Sequence, residues 1–230
     1  MVATIGMLVD LHYAYLVGDL MLGVGWLALF LWRRDLVREM VVVGLIMGTT
    51  ALAVAPLFYD YWRPLYLHPF GLEEFFYGFF AGGIASVLYE ELYGKHFTNR
   101  RDRRHHWVLI FFSLGLLSAL AFFYMLSIGI LSIYASAFLL ILCGTLPLAL
   151  RHDLVADALV SGFAFAFFSA VFSVAYLYIF PTVVETWWNV ELLTGTDMLG
   201  FPAEEIMWAF AFGFSAGPLY EFLAGRKFAR

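Results

Sequence analysis

Residues 71–97 read GLEEFFYGFFAGGIASVLYEELYGKHF, and residues 202–228 read PAEEIMWAFAFGFSAGPLYEFLAGRKF. Aligned without a gap at an offset of 131 residues, they match at Glu73/Glu204, Glu74/Glu205, Phe79/Phe210, Gly82/Gly213, Tyr89/Tyr220, Glu90/Glu221, Leu92/Leu223, Gly94/Gly225 and Phe97/Phe228. Upstream, RRDLVRE at 33–39 matches RHDLVAD at 151–157 at an offset of 118. The change of offset places a 13-residue insertion between the matched segments, most simply in the later of the two connections. The chain therefore reads as a duplicated unit, each copy opening its last apolar run with two adjacent glutamates.

The setting of those glutamates is a membrane. Hydrophobic residues make up 63% of the chain and charged residues 13%, where a soluble domain carries about a quarter charged; the mean hydropathy is +0.85. A membrane-spanning helix needs about 20 apolar residues, and seven stretches qualify, roughly 6–32, 40–59, 72–93, 107–126, 129–150, 154–180 and 203–224. The connections alternate in charge. Those at 33–39, 94–106 and 151–153, with the tail at 225–230, hold twelve of the 13 basic residues, and Arg63 alone lies in the other set. Excess Lys and Arg mark the cytoplasmic side, so the expected topology is an integral cell-membrane protein with its N-terminus outside and its C-terminus cytoplasmic. The expected fold is all-α: seven transmembrane helices forming two parallel three-helix repeats, helices 1–3 and 5–7, joined by helix 4. In residues, 1–106 form the first repeat with its basic cytoplasmic loop, 107–128 the linker helix and 129–230 the second repeat.

The outer connections are acidic and aromatic. Glu73 and Glu74 stand at the outer start of the third span, and Glu204 and Glu205 at that of the seventh, with Pro202 set as a first helical residue. Carboxylates in a first turn complement the helix dipole, which is one account of them. The other is a cavity at the outer boundary flanked by one inward carboxylate per repeat, dividing the roles of acid and base. Neighbouring residues point about 100° apart on a helix, so only one of each pair can face squarely inward. Tyr61, Trp62, Trp187 and Trp188 precede the glutamates at the same level, where ring faces can stabilise a cation. Asp19 falls near mid-membrane in the first span, and intramembrane acids are functional suspects, although a hydrogen bond to a neighbouring helix would also account for it. Asp10 and His12 border the same region. Tyr89-Glu90 and Tyr220-Glu221 lie about 25 Å further along and read as helix-end ion pairing, while Asp35 and Asp153 read as caps of the following helices. No spacing of His or acid ligands indicates a metal. The single cysteine, Cys143, cannot form an intrachain disulfide, and nothing points to nucleic acid.

The stretch WWNVELLTGTDMLGFPAEEIMWAF at 187–210, with YEFL following, is similar to the lycopene cyclase domain family, the small flavin-independent membrane type found as separate subunits or fused tandem copies. The family opens a helix with Pro-x-Glu-Glu or Pro-x-Glu-Asp, here Pro202-Ala203-Glu204-Glu205; the first copy, Gly71-Leu72-Glu73-Glu74, keeps both acids without the proline. The resemblance implies redox-neutral cyclisation of a linear carotene end group. Glu204, Glu205, Glu73 and Glu74 would be the acid/base groups, and Trp187, Trp188, Trp62, Tyr61, Asp19 and Pro202 would surround the substrate. It implies a lipophilic polyene or isoprenoid substrate within membrane lipid, and no sequence motif supports a reduced flavin or nicotinamide. Rival readings are a non-catalytic carotenoid- or lipid-binding membrane protein and a small transporter on the same scaffold. A retinal photoreceptor would need a mid-helix lysine, and the two lysines, Lys95 and Lys227, sit at cytoplasmic ends.

Overall fold

The computed structural model describes residues 11–64, 71–94, 97–101 and 106–228. Asp10, Lys95, His105, the beginning of the first expected span and the outer stretch 65–70 lie outside these. Helix α1 spans Ala14–Trp32, α2 Val37–Val54, α3 Leu72–Ala85, α4 Leu88–Tyr93, α5 His106–Ser127, α6 Ser132–Leu150 and α7 Val155–Ile179. A short α8, Val183–Trp187, follows, then α9, Ala203–Ala216, and α10, Leu219–Ala224. Strands are few: β1 (Phe97–Arg101) pairs antiparallel with β4 (Arg226–Phe228), and β2 (Asp197–Met198) with β3 (Phe201–Pro202).

Among the described residues, six helices are long and apolar enough to cross a membrane: Leu11–Trp32, Val37–Phe58, Leu109–Ser127, Ser132–Leu150, His152–Ile179 and Ala203–Ala224. The protein is an all-α membrane protein. The expected third span, 72–93, is not among the six. It is split into helices of 14 and 6 residues at Ser86–Val87 and carries Glu73, Glu74, Glu90 and Glu91. A similar break at Gly217–Pro218 separates α9 from α10. Proline without a backbone N–H accounts for the second break. At the first, the Ser86 hydroxyl donates back to the carbonyl of Gly83 (3.1 Å), a local bond that competes with the helix.

Helix α3 packs on α1 and α2, α9 packs on α6 and α7, and α3 and α9 touch each other. The short helices after the breaks cross over: α4 lies on α7, and α10 on α2. Lipid gives apolar surfaces no reason to leave it, so helices in a membrane associate through close packing of small residues. Gly44 and Gly48 on α2 face α3, where an added Cβ would lie 2.7 Å from the carbonyl oxygens of Phe79 and Phe75 respectively. On α3, Gly78 and Gly82 return the contact against Met47. At the other interface Gly213 on α9 meets the Ser161 carbonyl oxygen, at 2.5 Å from an added Cβ, and Gly162 meets Phe210.

One end of the bundle is closed by two matching devices, one from each half of the chain. Arg33 forms a double hydrogen bond with Asp35, both at 3.0 Å, and reaches the Glu90 carbonyl oxygen at 3.3 Å. Arg151 does the same with Asp153, at 2.8 and 2.7 Å, and with the Glu221 carbonyl oxygen at 3.4 Å. The bond to Asp35 raises the Arg33 guanidinium further above its already high range. Asp35 and Asp153 therefore hold arginines rather than cap helices; α2 and α7 begin without a side-chain cap bond. Gly94 and Gly225, both left-handed (φ 57° and 64°), end α4 and α10, a conformation glycine adopts without steric cost. Phe97 pairs with Phe228 just beyond.

Substituting Gly213 by Val should lower stability by about 1–3 kcal/mol, the usual cost of overpacking. Gly115 has nothing within 4 Å of an added Cβ, so Gly115→Ala should be neutral or stabilising by up to about 1 kcal/mol. Melting midpoints of the two variants in one detergent check the contrast.

Candidate active site

The end of the bundle opposite Arg33 and Arg151 holds a cavity of about 190 Å³ bounded by α1, α2, α3, α7, α9 and the loops above them. Three carboxylates reach it: Asp19 from α1, Glu74 from the first turn of α3 and Glu205 from the first turn of α9. So the second acid of each Glu-Glu pair faces inward. Glu74 accepts a hydrogen bond from the Tyr15 hydroxyl (2.9 Å), and Glu205 from the Trp188 indole N–H (2.7 Å). Tyr77 interacts electrostatically with Glu205, Glu74 and Asp19. Asp19 is buried, and its Oδ1 has no hydrogen-bond partner among the described residues.

The first acid of each pair is placed otherwise. Glu204 is buried outside the cavity wall and accepts two bonds at one oxygen, from the Tyr134 hydroxyl (2.9 Å) and the Thr194 backbone N–H (2.7 Å). It thereby ties α9 to α6 and to the loop that follows α8. Glu73 is half-buried and also outside the wall.

Two connecting loops form the roof. Trp62 and Trp188 make an antiparallel bridge, flanked by Arg63 N–H donating to the Trp187 carbonyl and Asn189 N–H donating to the Tyr61 carbonyl, both at 2.7 Å. The long segment after α7 thus folds back over the bundle, burying Val183, Trp187 and Phe201 against Ala14, Tyr176 and Phe180. Tyr61, Trp62, Trp187 and Trp188 all line the cavity. Tyr15 packs on Trp62 and Trp187 at ring-centroid distances of 5.6 and 6.3 Å, and Trp187 stacks on Trp188 at 6.4 Å. Burial first, and the neighbouring Glu205 second, push the Tyr61 phenol well above its usual pKa, so it stays a neutral hydroxyl. Pro202 lies outside the wall and precedes α9, whose first residue is Ala203. His12 is exposed and does not line the cavity. Asp60 accepts bonds from the N–H and hydroxyl of Ser132, both at 2.6 Å, and so anchors the start of α6.

The rest of the wall includes Ser169, Phe172, Ser173 and Tyr176, one stripe of α7 at helical spacing. Tyr15 and Asp19 are likewise one turn apart on α1. Those spacings are the signal in the sequence that would have gathered these residues.

A family model described as lycopene cyclase matches residues 131–223. The match covers the second half of the chain and leaves the first half without one. No curated protein and no solved structure matches the chain. The matched stretch runs from α6 to α10 and so includes Glu205, the tryptophans of the later loop and the α7 stripe, while Asp19, Glu74, Tyr61 and Trp62 lie outside it.

Because Glu204 carries two hydrogen bonds, Glu204→Ala should cost about 1–3 kcal/mol, the net worth of the two bonds it loses. Glu204→Gln keeps an acceptor oxygen and should cost less. Thermal denaturation of the two variants tests this.

Proposed function

We propose that the protein is a carotenoid cyclase acting on a linear, lycopene-like polyene by redox-neutral acid/base chemistry. The observation that carries this reading is the convergence of Asp19, Glu74 and Glu205 on one aromatic-walled cavity, within a chain that contains a lycopene cyclase family domain. In the reaction, one carboxylic acid protonates the terminal double bond of the polyene. The adjacent double bond attacks the resulting tertiary cation, closing a six-membered ring and moving the positive charge into it. A carboxylate then removes a ring proton. One proton enters and one leaves, so the product is an isomer and no electron donor takes part.

Glu74 and Glu205 divide the acid and base roles, Tyr15 and Trp188 orient them, and the tryptophan and tyrosine faces stabilise the cation before it can be captured by water. General acid/base groups of this kind contribute about 10²–10⁴-fold each.

We also read the chain as two parallel three-helix units, 1–106 and 129–230, joined by a linker at 107–128, with 72–93 completing seven spans. The matching contacts of Arg33 and Arg151 and the paired Phe97 and Phe228 support this. The basic connections then lie in the cytoplasm, and the cavity opens towards the outer leaflet.

The test is a pigment chromatogram from lycopene-producing cells expressing the protein. Cyclic carotenoid should form with the natural chain. Glu205→Gln and Glu74→Gln should each lower it by 10²-fold or more at unchanged protein level, whereas Glu73→Gln should retain most of it. Unchanged cyclic product in the first two variants would contradict the assignment. Unconverted polyene co-purifying with the natural chain would mark a carrier instead.

A further inference from the structure

At the end of the bundle opposite the cavity, a second group of acids is buried in the protein interior. Glu39 on α2, Glu90 on α4 and Glu221 on α10 bring carboxylate oxygens within 4.8 Å of one another, and all three residues are buried. Both carboxylate oxygens of Glu90 and both of Glu221 are without a hydrogen-bond partner among the described residues. Asp157 on α7, also 0% exposed, interacts electrostatically with Glu90 and Glu221. Its Oδ1 receives the Ser161 hydroxyl at 3.0 Å, and its Oδ2 is unpartnered among the described residues.

Burying several carboxylates together costs several kcal/mol per ion unless something compensates them. The nearby cations Arg33 and Arg151 hydrogen-bond the main-chain carbonyls of Glu90 and Glu221, at 3.3 and 3.4 Å, while the carboxylate oxygens of both glutamates have no hydrogen-bond partner among the described residues. Their guanidinium groups are already doubly bonded to Asp35 and Asp153, and Arg33 also pairs with Glu91. Carboxylate oxygens at this spacing, without histidine or cysteine, are the ligand set of a hard divalent cation, whose oxygen contacts run about 2.0–2.6 Å. Glu90 and Glu221 each stand four residues before the glycine that ends their helix, and Glu39 and Asp157 two residues after the start of theirs, within about 6 Å of the helix ends.

We propose that Glu39, Glu90 and Glu221, with Asp157 beside them, bind one divalent cation of the magnesium, manganese or calcium class. The ligands come from both halves of the chain and from both short helices that cross between them, so the ion fastens α4 and α10 in their crossed positions. This inference concerns a site remote from the cavity and stands independently of the proposed catalytic activity.

The full chain, purified in detergent, stripped with EDTA and titrated with Mn²⁺ under electron paramagnetic resonance, should deplete free Mn²⁺ with one saturable site per chain. Mg²⁺ or Ca²⁺ should compete for it. Glu90→Gln and Glu221→Gln should each weaken the affinity at least tenfold, while Glu185→Gln, on the exposed surface at the other end, should leave it unchanged. Hydrogen exchange of the natural chain supplies a reading that needs no variant: adding the ion should protect α4 and α10. No saturable binding, affinity unchanged in both glutamine variants, or exchange in α4 and α10 indifferent to the ion would overturn the proposal.

Discussion

Everything in this molecule depends on how closely α3 approaches α2, and α9 approaches α7. At these interfaces glycines bring one helix to within contact of the main-chain carbonyls of the other, which is how helices cohere in a solvent as apolar as themselves. The approach fixes the rotation of α3 and α9 about their own axes. That rotation in turn decides which acid of each Glu-Glu pair faces the cavity, since the two side chains diverge by about 100°. Glu74 and Glu205 turn inward; Glu204 turns towards Tyr134 and the roof loop.

The two ends then take different tasks. At the cavity end, main-chain pairing between the loops carries Trp62 and Trp188 over the opening, and their rings form a lid of π faces above the carboxylates. At the far end, the breaks after Ala85 and Ala216 release α4 and α10 to cross onto the opposite half. An unbroken helix would carry Glu90 and Glu221 onward along its own axis. The crossing instead brings them face to face beneath α2 and α7. A kink that looks like a flaw in a spanning helix is therefore what gathers the second acid group.

Much of this was legible in the sequence, because composition and charge act over whole segments. The described spans fall within a few residues of the apolar stretches, and the Glu-Glu pairs do open α3 and α9. Tyr61, Trp62, Trp187 and Trp188 do gather at one level. What escaped was whatever depends on rotation or on contacts between distant segments. Asp19 is a suspect already by its depth in the first span, but its meeting with Glu74 and Glu205 comes from the packing of α1 on α3, a relation no local pattern encodes. Glu90 and Glu221 read as helix-end partners of arginine, since their burial follows from breaks whose consequence is tertiary. The acid cluster has no motif at all, because its members come from separate helices, and metal-ligand spacing is legible only within one segment. Asp35 and Asp153 look like caps by position alone, and the arginine two residues earlier takes them instead.

In the proposed reaction, ring closure begins with a proton delivered by a carboxylic acid and needs no electrons. The most direct measurement is conversion of lycopene by the purified protein in deuterated water, with mass analysis of the product. One deuterium should be retained for each ring formed, at a rate indifferent to reduced flavin or nicotinamide. A cyclic product without deuterium, or formed only when a reductant is supplied, would contradict it.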